Sequence, residues 1–592
     1  MLGLLSGIAQ AEDTFFTSYH FMGAGNCARC HNGLADNMGN DVSIETAWSS
    51  TMMANSSKDP LWRAKVRSEI DRNPHLEEVI SDKCTKCHAP MANKEAHFSG
   101  DVVEVFDDGF LDASNSHHDE ALNGVSCTLC HQIKDNGTLG TLSGMSGNYE
   151  VDESRTIYGP YSDVFPGPMR NNIDYDIHYS DHIKDSKLCA TCHNLKTPYV
   201  DENGNVLSTT PESEFPEQMP YSEWEHSDYA DTQSCQDCHM QRTDGVVMAS
   251  RPPWLAAAIE FVNRSLQDGV LEISLNVHSN TGHKLPTSFP SRRAFMHFKV
   301  TDGAGNVVFE SGRVNADGSI EGADADSDPA AFEPHYDVIT AESQVQIYET
   351  IMQNNLGEVT YTLLRGMGYK KDNRILPKGF DKASAHSDIR VHGAAEADDD
   401  FVGGSDTITY RIGGLEDGSY TVEAELLYQT LSFAFAQDLF REASSEAASF
   451  KTMFDASAMK TSQIAAASLT VSGSGSVAPA ACDDGIDNDG DGLVDLEDPG
   501  CTDVSDNNEF NEAAPLPAAC EDGIDNDGDG LVDLSDPGCT DASDSDEYNE
   551  PLPECSDGID NDGDGKINLA DASCSDASDN DETYPKKHRG GH

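Results

Sequence analysis

Five times within its first 239 residues the chain sets two cysteines three positions apart with a histidine directly behind the second. The copies are Cys27-Ala-Arg-Cys30-His31, Cys84-Thr-Lys-Cys87-His88, Cys127-Thr-Leu-Cys130-His131, Cys189-Ala-Thr-Cys192-His193 and Cys235-Gln-Asp-Cys238-His239. The residues between the cysteines change from copy to copy, so the repeat specifies chemistry rather than packing. A zinc site built on CxxC needs a second ligand pair at a defined distance, and a redox dithiol needs a βαβ frame around a single CxxC. Neither accounts for a histidine behind the second cysteine every time. Covalent c-type haem does: the two thiols add across the porphyrin vinyl groups, and the adjacent imidazole becomes an axial ligand to iron.

From Cys27 to His239 is 213 residues, about 43 per motif, too little polypeptide to wrap each macrocycle in its own core. Five haem c groups must then pack on one another, and closely packed haems make a path for electrons. Secondary structure in residues 20–254 is expected to be sparse, with short helices around each motif and loops rich in Asn, Asp, Gly and Ser between them. Each iron needs a sixth ligand or keeps an open site. His20, His75, His97, His117, His118, His178, His182 and His226 are spare histidines in this stretch, more numerous than the irons. His117 and His118 precede Cys127, His178 and His182 precede Cys189, and His226 precedes Cys235, where a short loop returns a ligand. As a set they point to mostly six-coordinate haems.

The sixteen cysteines fall into two groups, ten in the motifs and six beyond residue 480, with none between His239 and Ala481. A formal net charge of -66 argues against nucleic acid, whose phosphates would be repelled. Residues 1–11, MLGLLSGIAQA, read as the remnant of a secretory signal ending in an A-x-A cleavage site. No other stretch approaches the roughly 20 apolar residues that span a bilayer. The expectation is an exported protein of the periplasm, outer cell surface or exterior.

Several short stretches go further. They are Trp48-Ser-Ser-Thr-Met-Met53-Ala54 with Asp59-Pro60-Leu61-Trp62, Cys87-His88-Ala-Pro-Met91, Gly124-Val-Ser-Cys127, Tyr221-Ser222-Glu223-Trp224 before the fifth motif, and Thr281-Gly-His283-Lys-Leu-Pro-Thr287. With the motifs, residues 20 to about 470 resemble the multihaem c-type cytochromes of bacterial periplasmic and extracellular electron transfer. The resemblance implies a distal ligand within Trp-x-x-Ser-x-His. Here Thr51 and Met53 stand at the Ser and His positions, and a thioether from Met53 would raise the haem's potential. It also implies that His283 is a distal ligand supplied by the following domain, and that redox partner proteins or an extracellular acceptor receive the electrons. For the haem on His31, both Met53 and His20 are in contention.

Residues 255–471 read as β-sandwich-like. Leu271, Ile273, Leu275 and Val277 alternate with mostly polar residues, as do Ala294, Met296, Phe298 and Val300, and Tyr420, Val422, Ala424 and Leu426. Asp302-Gly-Ala-Gly-Asn306 reads as a turn into Val307-Val-Phe309, and Gln429 to Phe454 as a helix inserted before a last strand near Leu469. Residues 472–481, SGSGSVAPAA, have linker composition.

Residues 482–583 contain three repeats, Cys482 to Cys501, Cys520 to Cys539 and Cys555 to Cys574, whose equal spacing suggests three local disulfides. Between the cysteines lie acidic loops. Calcium wants six to eight oxygens, and loop positions 1, 3, 5, 9 and 12 supply them. Asp487, Asp489, Asp491, Asp495 and Asp498 fill those positions in the first repeat, and Asp525, Asp527, Asp529, Asp533 and Asp536 in the second. Asp560, Asp562, Asp564, Asn568 and Asp571 fill them in the third. The loops resemble thrombospondin type 3 repeats. With 34 acidic side chains against one lysine in this stretch, calcium is expected to order it against self-repulsion. A short basic tail occupies residues 584–592.

The chain therefore reads as multidomain: a loop-rich, mainly α multihaem domain, then a β-sandwich-like domain with a helical insertion, then disulfide-bonded calcium-binding repeats. Electron carriage through five haems is the leading function. A haem enzyme acting on a small nitrogen or sulfur species at one open iron is an alternative, although all five motifs end in His. A third reading is a calcium-dependent adhesive or filament-forming subunit that self-assembles.

Overall fold

The computed structural model describes residues 15–35, 41–151, 153–240 and 256–472, with short pieces at 242–243, 246–247, 482, 493–498, 500–501, 533–535 and 539. The signal remnant, the linker composition, most of the calcium-loop positions and the basic tail lie outside the described residues. The chain divides into two compact units, Met1–Phe510 and Asn511–His592. Among the described residues no helix is long and apolar enough to cross a membrane.

The first half of the larger unit is short helices and loops. Each motif closes a helix: Ala24–His31, Glu77–His88, Cys127–Cys130, Ser186–His193 and Cys235–His239. Helical pitch puts residues i and i+3 on one face, so both cysteines of a motif look the same way. The longest helix here, Pro60–Arg72, shows why Asp59-Pro60 starts it: the Asp59 carboxylate accepts from the Leu61 N–H at 2.9 Å, and Pro60 sits where no intrahelical donor is needed. No single core forms among the motif-bearing helices. Apolar side chains gather in small separate clusters, such as Trp62, Val66, Ile70, Ile80 and Phe106, or Phe21, Met91, Leu129 and Ile133.

The second half has one large core between two sheets. A four-stranded sheet runs Val338–Ile339, Ser405–Gly413, Val270–Ser279, Ala257–Gln267. The other runs Gly368–Asp372, Ile347–Gln353, Arg293–Asp302, Ser419–Gln429, Ser462–Ser472, with Val307–Ser311 also paired to Arg293–Asp302. The alternating residues are the inward ones: Leu271, Ile273, Leu275, Val277, Met296, Phe298, Val300, Val422 and Leu426 are fully buried in one cluster. Phe298 and Tyr410 stack across the two sheets at 3.7 Å between ring centroids. The 302–306 turn is a hairpin in which the Asp302 carboxylate accepts the Asn306 N–H at 2.8 Å.

The inserted helix differs from the expectation. The strand continues to Gln429, and two helices follow, Phe433–Leu439 and Ser445–Ala456. Ser444 makes the break by capping the second helix, its hydroxyl accepting the Ala447 N–H. This helical segment helps hold the two halves together, Arg72 pairing with Asp438 at 3.0 Å and Glu442 at 2.7 Å, and apart from it Lys65 donates to the Tyr361 carbonyl at 2.8 Å.

Candidate haem-binding centre

None of the ten motif cysteines is in a disulfide, whereas Cys482 and Cys501 form one and Cys539 is disulfide-bonded. Among the described residues, the cysteines of the two groups thus differ in chemical state. Thiols of different motifs adjoin. Cys27 adjoins Cys127, Cys87 adjoins Cys192 and Cys189 adjoins Cys235, and Cys130 lies within electrostatic reach of Cys192. The first motif therefore neighbours the third, the third neighbours the fourth, and the fourth touches both the second and the fifth.

The imidazoles sort by which nitrogen is engaged. A metal-bound histidine usually donates its other ring N–H to a carbonyl, which fixes ring orientation and tautomer. His88 Nδ1 lies 3.1 Å from the Ser56 carbonyl and His131 Nδ1 2.7 Å from that of Tyr158. Three of the distal candidates share this arrangement: His118 on Phe110 (3.0 Å), His226 on Ser222 (2.9 Å) and His283 on Lys284 (3.0 Å). In each, Nε2 is left for a metal. Burial pushes the His88 imidazole down to about 4 and lowers those of His131 and His283. They are neutral at ordinary pH, the form that ligates. The His239 and His283 ring centroids are 6.1 Å apart. Two imidazoles facing one metal with bonds of about 2 Å require roughly that separation.

The other candidates stand differently. His182 has both nitrogens engaged, Nε2 with the Ile133 carbonyl at 2.8 Å and Nδ1 with the Ser180 hydroxyl at 2.6 Å. His117 Nε2 is 2.9 Å from Asp101, and its Nδ1 is buried without a hydrogen bond. His97 Nε2 pairs with Asp82 and His75 Nε2 with the Gly204 carbonyl. His20 is buried edge-on to Tyr19 and Phe98, which stack on each other, with Nδ1 3.3 Å from Glu95, and His178 lies on the exposed strand Asp176–Tyr179. The Met53 carbonyl accepts the Val125 N–H at 2.9 Å, two residues before Cys127. Gly124 is required there: its φ is +58°, and a Cβ would stand 2.5 Å from that carbonyl.

Other residues hold the motifs without any local signal of it. Trp62 stacks on His88 at 4.9 Å with planes 9° apart. Asn194, directly behind His193 and fully buried, accepts the Tyr221 and Ser222 N–H groups at 3.0 and 3.3 Å and donates to the Ser222 hydroxyl at 2.7 Å. A buried network of Glu223, Arg374, Asp372 and Lys284 lies beside His283.

A separate cluster in the sheet region, His335 with Asp398 at 3.2 Å and Asp406 at 3.5 Å, has metal-like spacing. However, Gln346 and Asn373 both donate side-chain N–H groups to His335 Nδ1, at 2.9 and 3.0 Å. Their amide oxygens are held by the N–H groups of Tyr336 and Glu349, so neither can turn round. The imidazole proton therefore sits on Nε2, the atom a metal would need, and is donated to Asp398. In the first acidic repeat, Asp498 is buried. Its Oδ1 accepts the Gly500 N–H at 2.6 Å, while Oδ2 has no hydrogen-bond partner.

Residues 26–132, which carry the first three motifs, match the family model described as Cytochrome c554 and c-prime. No curated protein matches the chain. Among solved structures, a penta-heme cytochrome c552 from Thermochromatium tepidum is similar with a TM-score of 0.46 at 16% identity, covering 77% of this chain and all of that one. The family match, on a stretch whose cysteines and histidines have the chemistry that covalent haem needs, supports a multihaem c-type cytochrome that transfers electrons.

Proposed function

We propose that this chain binds five haem c groups and carries electrons through them at or outside the cell envelope. The observation that carries the reading is the convergence of five CxxCH cysteine pairs, none of them in a disulfide, joined by imidazoles whose Nδ1 atoms are tied to backbone carbonyls. The cysteine pairs hold the macrocycles covalently, and His31, His88, His131, His193 and His239 supply the proximal nitrogens. His118, His226 and His283 have the arrangement of distal ligands. When bound, the haem irons supply one-electron redox chemistry. Burial keeps the imidazoles of His88, His131, His193 and His283 neutral, and backbone carbonyls orient those of His88, His131, His118, His226 and His283. The order of motif contacts makes the fourth site a junction between the third, the second and the fifth.

The tail reading belongs to the same proposal: the unpaired buried oxygen of Asp498 suits a cation, and the acidic repeats bind calcium as a spacer or attachment. Intact-mass measurement of the mature protein with a pyridine haemochrome assay tests the haem count. Five haem additions with a bis-thioether spectrum are expected, and fewer than five would overturn the reading.

A further inference from the structure

Glu223 is fully buried, in the short helix Pro220–Glu225 that precedes the fifth motif. A buried carboxylate is costly unless charge and hydrogen bonds both compensate it. Its Oε1 pairs with Arg374 Nη1 at 2.8 Å. Its Oε2 accepts from the Lys284 backbone N–H at 3.2 Å and from the Thr287 hydroxyl. Lys284 directly follows His283, so one carboxylate grips the loop that presents this imidazole.

The remaining charges close the network. Arg374 forks onto Asp372 at 2.8 and 2.7 Å, and the Lys284 ammonium reaches Asp372 at 2.8 Å. Two carboxylates face two cations. From its other side the loop is tied to the sheet region by paired hydrogen bonds between Leu285 and Ile375, both 2.9 Å. Gly282 lies against Trp224, where an added Cβ would be 3.2 Å from the indole. The proximal arm, carrying Glu223 and Trp224, and the distal loop, carrying His283, therefore meet at Glu223.

We infer that Glu223 is a positioning residue for the distal imidazole of the fifth haem, holding His283 at the 6.1 Å centroid separation from His239 through the Lys284 N–H and the Thr287 hydroxyl. The inference rests on the proposal that His283 ligates that haem. It adds that the electrostatic link to Arg374, not the loop alone, keeps the ligand in place.

Carbon monoxide binding to the reduced, haem-loaded full chain tests it, because the gas enters a six-coordinate haem only when its distal ligand leaves. His283→Ala is the reference and should add one carbon monoxide equivalent per chain, with a high-spin signature, over the wild type. If it adds none, His283 is not the ligand and the inference falls with that reading. Glu223→Gln removes the charge at constant shape and should bind carbon monoxide at that haem more than about tenfold faster than wild type, as expected for losing a charge-assisted contact. A wild-type rate in Glu223→Gln, with His283→Ala still opening the haem, would overturn the positioning role. Should Glu223→Gln fail to mature, Thr287→Val leaves every charge in place. It should be about fivefold faster than wild type, the net effect of one hydrogen bond, and an unchanged rate would again overturn the inference. A purely architectural role would lower the melting temperature without altering the haem spectrum or this rate well below it.

Discussion

Asn194→Ala is the sharpest test of how the motif region is held. The helix Pro220–Glu225 begins after Met219, whose side chain cannot cap it, and Asn194 provides the acceptor from far along the chain. Replacing it strands the Tyr221 and Ser222 N–H groups, the first of them on a buried residue, and removes a donor from the Ser222 hydroxyl. An orphaned buried donor costs about 1–3 kcal/mol, so the two together, with Ser222 only half-buried, cost about 2–5 kcal/mol, well above the ~1 kcal/mol of an exposed cap. At about 1.4 kcal/mol per tenfold, exchange protection in this helix should fall roughly thirty- to several-thousand-fold. Hydrogen exchange read by mass spectrometry on peptides covering 215–230 measures this without assuming two-state unfolding. Asn194→Asp keeps an oxygen at the Oδ1 position to accept both N–H groups and should lose much less. Protection in Asn194→Ala within about threefold of wild type would refute the orphaned-donor reasoning.

Two further perturbations separate buried from exposed charge. Arg293 is buried, forks onto Asp326 at 2.9 and 2.8 Å and donates to Gln429, so Arg293→Met leaves Asp326 uncompensated and should cost about 3–5 kcal/mol. Arg411→Ala breaks an exposed pair with Glu272 and should cost about 0–1 kcal/mol; denaturant midpoints followed by far-ultraviolet circular dichroism compare the two, and equal shifts would contradict the argument. Burial raises the Glu217 carboxyl, opposed by the Thr197 hydroxyl. The folded state then binds its proton more tightly than the unfolded one. The stabilising contribution is complete below the ordinary glutamate value of about 4.3 and is lost as pH rises through the folded pKa. Glu217→Gln should therefore be more stable than wild type at neutral pH, with the difference shrinking towards about pH 4; a pH-independent difference in melting temperature would count against it.

What could be read from the residues alone follows from how local each determinant is. Covalent attachment fixes residue type and spacing within five positions, so Cys27 to His31 and its four copies are legible at once. The period-two strands are legible because one face of each must reach a common core, and Leu271 to Val277 need no distant partner to announce it. The helix break at Ser444 is masked by the Ala, Phe and Glu around it, all compatible with one continuous helix, because a cap acts only when the chain has already turned. The distal side of the haems is less legible still. What makes His118, His226 and His283 resemble His88 is not the histidine but the carbonyl its Nδ1 meets, which comes from Phe110, Ser222, Lys284 and Ser56 in turn. Glu223 and Arg374 lie in different halves of the unit, and neither stretch shows by itself that a buried charge needs the other. On the proposed reading the proximal chemistry is encoded in the motif and the distal chemistry in the fold, which is why substitutions at Glu223 and Thr287, outside every CxxCH, are the ones expected to change how the distal ligand of the fifth haem is held.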